Sequence, residues 1–253
     1  MKFKNITTPD GKKYQIPEDI TLIFPESKTV SQKDLHFLAY IPWNDKYFEH
    51  IPEEYKDFFQ KILPKLSKRT TDVHTAICLG FLDELSQGEE INKKVLAISL
   101  ILHDVGWDKL SDVEITSSLG VQGVLELSDE ASKPKTKHAV EGEKISKEIL
   151  NEYPLPDHEK ELILKSVRLH DIPWEIKQNG ETPKEVQLLA DLDHLWSYTH
   201  QNFWQDTVRK GVEPQTYLEN LEKDIDGYFI TLKGKDKARQ LLGQRRKEVD
   251  QLV

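Results

Sequence analysis

The dipeptide His103-Asp104 directly follows an apolar run from Val95 to Leu102. Other histidines and aspartates occur at the end or on one face of separate helical patterns. Imidazole and carboxylate groups that converge inside a protein lose their hydration, and without partners this costs roughly several kcal/mol each. A metal ion removes that cost, because both groups are common ligands of transition metals. We therefore interpret the set as a metal centre, whose candidate ligands are His74, His103, Asp104, His138, His170 and Asp193.

The candidate ligands need a framework of helices to bring them together. Apolar residues recur at helical spacing along most of the chain. The predicted helices cover about residues 52–63, 71–85, 90–102, 136–153, 157–170, 183–203 and 235–251. The second half of the 90–102 helix is apolar nearly all round, which is typical of a helix at the centre of a bundle. Residues 111–135 contain scattered glycines and Pro134, and we predict a loop or lid there.

The first 30 residues differ from the rest of the chain. Pro9-Asp10-Gly11 is a turn signal between two short β-prone runs, at residues 2–8 and 12–16, and it predicts a small hairpin. The fold class predicted is therefore all-α, with a helical bundle and a small N-terminal β-hairpin. We divide the chain into a hairpin extension (1–30), a helical metal-binding core (31–205) and a C-terminal helical extension (206–253).

Composition excludes several classes of function. A formal net charge of −9 argues against a general nucleic-acid-binding surface, which would be basic. No apolar stretch approaches the roughly 20 residues of a membrane span, and the N-terminus does not resemble a signal peptide. A single cysteine, Cys78, is consistent with a cytoplasmic location. A small anionic substrate needs only local cations, which Ser132–Lys137 (SKPKTK) supplies if that run is not merely a solvated loop.

The ordered set of candidate ligands resembles the HD superfamily of metal-dependent phosphohydrolases. Its signature is a histidine, then a His-Asp dipeptide, then a later aspartate, matched here by His74, His103-Asp104 and Asp193. Three further segments also resemble parts of that family: ILHDVGW, KHAVEGEKISKEIL and LLADLDHLWSY. The resemblance covers about residues 70–200 and implies a helical bundle around a metal centre.

The resemblance also bears on the individual ligands. The closing aspartate is either Asp191 or Asp193; a leucine two residues on, as the family usually has, favours Asp193. Residues two apart on a helix cannot face the same way, so Asp191 would have a structural or supporting role. Family members that also have the positions of His138 and His170 hold two ions with the aspartate of the dipeptide between them. The resemblance therefore implies one or two ions of Mn, Fe, Co, Ni or Zn.

The function implied is hydrolysis of a small phosphoester, with a nucleotide favoured, by a metal-activated water. Predicted catalytic residues are Asp104, Lys137, Arg168 and His194, with Lys165 and His200 as further candidates. The lysine and arginine side chains would offset phosphate charge, and His194 would act as an acid or support a ligand. Aromatic residues that either line the pocket or belong to the core are Trp107, Trp174, Trp196 and Tyr198.

Two departures from relatives narrow the prediction. His170 is followed by Asp171-Ile172-Pro173-Trp174 and not by the Gly-Tyr-Pro motif of cyclic-di-GMP phosphodiesterases, and Trp107 occupies a position where many members have lysine. The same ligand order also resembles HD-fold diiron oxygenases such as myo-inositol oxygenase. A third possibility is a non-catalytic nucleotide-binding module, although a complete ligand set argues against it. The sequence makes no prediction about the oligomer.

Overall fold

The computed structural model describes residues 1–119, 129–178 and 180–252, apart from the side chains of residues 129–131. Strands β1 (Phe3–Thr7) and β2 (Lys13–Pro17) form an antiparallel hairpin in which Phe3 pairs with Pro17 and Thr7 with Lys13. The α-helices are α1 (Lys56–Leu66), α2 (Thr71–Leu79), α3 (Leu82–Ser86), α4 (Lys93–Leu102), α5 (Asp112–Ser117), α6 (Asp129–Asn151), α7 (Asp157–Leu169), α8 (Pro173–Gln178), α9 (Lys184–Leu195), α10 (His200–Lys210), α11 (Pro214–Tyr228) and α12 (Leu232–Val249). Short 3-10 segments occur at Gln32–Leu38, Asp45–His50, Glu53–Tyr55, Val105–Lys109 and Trp196–Tyr198. The all-α class and the N-terminal hairpin are confirmed.

Helix α4 lies at the centre of the bundle, as its apolar sequence predicts. Every residue from Val95 to Leu102 is buried, and the helix contacts α1, α2, α7 and α9. The side chain of Asn92 caps its start by accepting a hydrogen bond from the backbone N–H of Val95. Because α4 ends at Leu102, His103 and Asp104 follow directly on its buried stretch from Val95 to Leu102.

The turn after Asp104 packs directly against α6 through two glycines. A Cβ atom at Gly106 would overlap the carbonyl oxygen of His138, and Gly142 lies just beneath the same turn. Gly106 does not have the positive φ of a glycine that caps the end of a helix. Its role is instead to let the two backbones approach closely, which brings His103, Asp104 and His138 together.

Both ends of the chain contribute to the main hydrophobic cluster. Ile16 of the hairpin is fully buried, and Phe3 makes an edge contact with Trp204 at a ring-centroid distance of 5.6 Å. Helix α12 packs against α9 and α11 and buries Leu241 and Leu242. The predicted division at residues 30 and 205 stays a prediction, but one cluster draws side chains from all three predicted segments.

Several predicted helix boundaries were wrong. The expected 71–85 helix is interrupted between Leu79 and Leu82, where Gly80 has little intrinsic preference for helix. The expected 183–203 helix ends at Leu195, because Thr199 adopts an extended conformation and caps α10 with its side chain. Helix α11 was not predicted, although Pro214 in its first turn is a favourable start.

The predicted loop at 111–135 was also wrong in part. Its beginning is helix α5, which starts with a capping box between Ser111 and Glu114. Its end belongs to α6, which begins at Asp129 and accommodates Pro134 in its second turn. The middle of the predicted loop, residues 120–128, lies outside the described residues.

We expect Gly106→Ala to destabilise the protein by roughly 3 kcal/mol or more, because the new methyl group has no space beside the His138 carbonyl. The matched control is Gly243→Ala in α12, where an added Cβ meets no atom within 4 Å among the described residues. That change should stabilise the protein by about 0.5–1 kcal/mol, because alanine favours helix. Urea unfolding measures both, and equal effects of the two changes would contradict the close-packing role of Gly106.

Candidate metal centre

The six predicted ligands converge on one site although they come from five parts of the chain. Helix α2 carries His74, the end of α4 leads into His103 and Asp104, and α6 carries His138. His170 directly follows α7, and Asp193 lies in the last turn of α9. Exposed fractions of their side chains range from 0% for His103 to 13% for Asp193. The structure therefore places together every residue that the sequence analysis proposed as a metal ligand.

The carboxylate of Asp104 lies between two pairs of imidazoles. Its Oδ2 atom is 3.1 Å from Nδ1 of His74 and 3.5 Å from Nε2 of His103. Its Oδ1 atom is 3.5 Å from Nε2 of His138 and 3.7 Å from Nε2 of His170. Each oxygen thus faces a different histidine pair, which is the arrangement expected of a carboxylate shared by two cations.

Asp193 completes the group that contains His74 and His103. Its Oδ1 atom is 3.1 Å from Nε2 of His74 and 3.4 Å from Nε2 of His103. The two groups, His74–His103–Asp193 and Asp104–His138–His170, each have ligand atoms within 4.8 Å of one another. Mixed imidazole and carboxylate groups at this spacing fit a divalent transition metal.

Backbone hydrogen bonds orient two of the histidine rings toward the site. Nδ1 of His103 is 2.6 Å from the carbonyl oxygen of Leu100, and Nδ1 of His170 is 2.7 Å from that of Val167. A carbonyl oxygen only accepts, so Nδ1 carries the hydrogen in both rings and Nε2 has a lone pair when the ring is neutral. Nε2 of His103 is buried without a hydrogen-bond partner among the described residues. Metal-binding histidines commonly have this arrangement, which supports the fit to a metal.

The charges in the site depend strongly on one another. Burial alone would lower the pKa of His170, but Asp104, Asp193 and Asp171 outweigh it and raise this pKa to about 9. Burial would raise the pKa of Asp104, yet the surrounding histidines, His103 first among them, hold it well below its usual range. For His138, burial dominates and lowers the pKa. Cationic charge is therefore needed here, and protons supply it when no metal is bound.

Two tryptophans pack against the candidate ligands. The rings of Trp107 and His138 stack with centroids 4.2 Å apart, and Trp107 Nε1 donates a hydrogen bond of 3.0 Å to Asp104 Oδ1. Trp196 stacks on His74 with centroids 5.1 Å apart. These two residues line the cavity. Of the other predicted wall residues, Trp174 is exposed on α8, and Tyr198 is a core residue whose hydroxyl donates to the carbonyl of Leu221.

The two aspartates of α9, Asp191 and Asp193, point in different directions, and this decides which of them is the candidate ligand. Asp193 faces the histidines, whereas Asp191 faces the connection between α11 and α12. Its carboxylate accepts hydrogen bonds from the backbone N–H groups of Ile230 and Thr231 and from the Thr231 hydroxyl. Asp191 therefore attaches the C-terminal helices to the helix that carries Asp193.

A third polar group adjoins the candidate ligands. His194 Nε2 is 3.9 Å from Oδ1 of Asp171 and 3.9 Å from Oδ2 of Asp193. Asp171 also forms an ion pair of 3.2 Å with Lys135, and both line the cavity. Sequence reasoning identified His194 but missed Asp171, and it proposed Lys135 only as one of the cations of the basic run 132–137. The signals available were the position of Asp171 next to His170 and that of Lys135 within the basic run.

Four other predicted residues do not reach the site. Lys137, predicted as catalytic, forms a 2.6 Å ion pair with Glu114, because it lies beside His138 on α6 and points away from the cavity. Arg168, also predicted as catalytic, lies on α7, where its Nε is 3.9 Å from Glu143 of α6. Of the further candidates, Lys165 is exposed, and His200 contacts Asp19 and Glu248 at the N-terminal end of α10. The placements of Lys137 and Arg168 are corrections to the sequence-based assignment.

Cations other than Lys137 and Arg168 lie in the wall of the cavity. Its volume is about 830 Å³, which includes open solvent at its mouth. Arg69 precedes α2, and Arg209 and Lys210 lie in the last turn of α10. Sequence reasoning missed all three. Their sequence neighbourhoods contain no motif, and the predicted 183–203 helix included only the first four residues of α10.

Comparison with known proteins agrees with this geometry. Residues 71–196 match the family model of the HD domain, a range that contains all six candidate ligands. The chain belongs to the HD-domain superfamily, whose members are commonly metal-dependent hydrolases. No curated protein and no solved structure matches the chain.

Within the described part of the chain, no helix combines the length and apolar composition required to cross a bilayer.

We expect Asp193→Asn to affect metal binding and Asp191→Asn to affect stability. Asp193→Asn should lower the bound metal measured by elemental mass spectrometry, because a charged candidate ligand is lost. Asp191→Asn should retain metal but destabilise the metal-free protein by about 1–3 kcal/mol, because an amide NH₂ would face backbone donors. Loss of metal in Asp191→Asn with full retention in Asp193→Asn would show that the roles have been reversed.

We expect metal affinity to rise with pH up to about pH 9. The raised pKa of His170 keeps a proton on this ring at neutral pH in the metal-free protein, and the metal must displace it. As the pH rises through that pKa the competition ends, so the affinity should then level off. Competition with a chelating dye at a series of pH values measures this, and an affinity that is constant from about pH 6 to 9 would be inconsistent with proton displacement.

Proposed function

We propose that this protein is a metal-dependent phosphohydrolase that acts on a small phosphoester, with nucleotides as the favoured class. The observation that carries the proposal is the position of Asp104, whose two carboxylate oxygens face separate histidine pairs. The proposed ligands of one ion are His74, His103 and Asp193; those of the other are His138 and His170, with Asp104 shared between the two. When bound, divalent ions would supply a water of lowered pKa and polarise a phosphoryl oxygen.

The protein's own residues would have three tasks in this reaction. A water oxygen forms a bond to phosphorus, the ester P–O bond breaks, and the leaving oxygen takes up a proton. We assign the delivery of that proton to His194, which lines the cavity between Asp171 and Asp193. Asp171 is held by Lys135 and lies 3.9 Å from His194 Nε2, so it would act on this ring through its charge and not through a hydrogen bond. The stacked Trp107 and Trp196 fix the candidate ligands and restrict access of bulk water.

Which metal binds, and how many ions bind, also belong to the proposal. Mn, Fe, Co, Ni and Zn all suit imidazole and carboxylate ligands, so the donor set does not select one of them. A pair of redox-active irons with an O₂-dependent product would instead support the diiron oxygenase alternative. The cytoplasmic location and the absence of general nucleic-acid and membrane partners stay predictions of the sequence.

The test begins with the full-length chain, freed of metal by chelation and reloaded with each metal in turn. We expect about two ions per chain and release of phosphate from a panel of nucleoside mono-, di- and triphosphates and simple phosphoesters. Asp104→Asn should lower the metal content, and it should lower the rate of phosphate release by at least about 100-fold. The matched control is Asp236→Asn, because this aspartate is exposed on α12 away from the cavity and should leave both unchanged.

A second variant separates proton transfer from metal binding. His194→Gln should keep its metal but lower kcat by about 10²–10⁴-fold, as expected for loss of a general acid. O₂ consumption by the iron-loaded protein without phosphate release would replace the hydrolase with the oxygenase. Failure to retain any of the metals would leave only a binding module.

A further inference from the structure

Apart from Lys135 and the aspartates near the candidate ligands, the cavity wall has three cationic side chains and one carboxylate. Arg69, Arg209, Lys210 and Asp206 all line the same cavity as the candidate metal ligands. No metal-binding or proton-transfer role proposed above uses them. Such an excess of positive charge is notable in a chain whose formal net charge is −9.

Asp206 is already satisfied by residues other than the arginines. Its Oδ2 atom is 3.0 Å from Nζ of Lys210 and accepts a hydrogen bond of 2.9 Å from the Tyr217 hydroxyl. The closest approach of Arg209 is 3.8 Å, from Nη1 to Oδ1, which is beyond hydrogen-bonding distance. Lys210 is therefore the closer partner of Asp206, and Arg209 pairs with the same carboxylate only at this longer distance.

Arg209 is a buried cation with an unused donor. The residue is 2% exposed, and its Nε donates a hydrogen bond of 3.0 Å to the carbonyl of Phe37. Its Nη2 has no hydrogen-bond partner among the described residues. Burial lowers the pKa of Arg209 to about 10. The charge of Asp206 opposes this shift and that of Arg69 adds to it, and the guanidinium stays protonated at neutral pH. A buried cation with one distant carboxylate and an unsatisfied donor is costly, which indicates that an anion is the missing partner of Nη2.

Arg69 is held beside the metal centre by an unusual backbone. Arg69 and Thr70 have φ angles of 60° and 67°, in the left-handed region that L-residues rarely occupy. Thr70 is fixed there because its hydroxyl oxygen accepts hydrogen bonds from Gln205 Nε2 and the backbone N–H of Ile41. The guanidinium of Arg69 lies 4.1 Å from the ring centroid of Trp107, the residue that donates to Asp104. Arg69 forms no ion pair within the described ranges.

A purely structural explanation accounts for only part of this arrangement. Cations in the last turn of α10 interact favourably with the negative end of the helix dipole, which explains why Arg209 and Lys210 are tolerated. The dipole does not explain the strained backbone at Arg69. It also leaves the Nη2 donor of Arg209 without a partner.

We propose that Arg69 and Arg209 form a second phosphate-binding subsite in the cavity, distinct from the metal centre. Planar guanidinium groups donate paired hydrogen bonds that match the oxygens of a phosphate. The substrate class this implies is a phosphoester with at least one further phosphate group, so that one phosphate reacts at the metal centre while another binds the arginines. The assignment to a substrate rests on the proposed hydrolase function, whereas the phosphate subsite itself does not.

The test uses the full-length protein without metal, so that phosphate binding through an ion is excluded. Isothermal titration calorimetry in the presence of chelator measures the affinity for inorganic phosphate. We expect Arg69→Gln and Arg209→Lys each to weaken it by roughly tenfold, because each removes a guanidinium fork. The control is Arg239→Gln, since Arg239 is an exposed arginine of α12 that pairs with Asp226 and Asp236. Acetate in place of phosphate tests whether the site prefers phosphate to a carboxylate.

The result expected is phosphate binding that depends on Arg69 and is unaffected by Arg239→Gln, with acetate binding at least roughly tenfold weaker. Arg69 is only partly buried, so its variant folds even if that of the buried Arg209 does not, and thermal unfolding verifies this. No phosphate binding by the wild-type protein, equal binding by Arg69→Gln, or equal affinity for acetate would overturn the proposal. Because metal is absent, failure of the hydrolase proposal would leave this result unchanged.

Discussion

Asp104 is a carboxylate enclosed in the middle of a helical bundle, and it is stable there only because imidazole groups surround both of its oxygens. The histidines come from α2, from the segment after α4, from α6 and from the end of α7. Removing a carboxylate from water without such partners costs more than most single interactions in a protein contribute. The packing of these elements and the polar site in their centre therefore depend on each other.

The protein brings the helices close enough for this by omitting side chains where backbones meet. Gly106 and Gly142 permit the turn after Asp104 to lie directly against α6. Asp191 contributes from the other side, because it ties the α11–α12 connection to α9 through three hydrogen bonds. The C-terminal helices thus support the helix that positions Asp193. Residues beyond the HD-domain match at 71–196 thus contact a helix that carries a candidate ligand.

The electrostatic design of the cavity differs from that of the surface. Most of the excess negative charge of the chain lies outside, while the cavity combines a centre that needs cations with a wall that supplies them. Lys135 pairs closely with Asp171 and Lys210 with Asp206. The cations with capacity left for a ligand are Arg69 and Arg209, since Arg209 contacts Asp206 only at 3.8 Å. An anionic substrate would be drawn to such a cavity although the whole protein is acidic.

The sequence by itself determined the class of the fold and the six candidate ligands. Residue types and helical spacing indicate His74 and His103-Asp104, because burying such polar groups without a partner is costly. The preference for Asp193 over Asp191 came from the resemblance to the HD superfamily. The positions of the arginines, the role of Gly106 and the separate helix α10 were decided by the tertiary structure. Cavity walls form from segments far apart in the chain, so Arg69 and Arg209 show no common spacing. Local sequence likewise could not exclude Lys137, because only the packing of α6 shows which of two adjacent residues, Lys137 or His138, faces inward.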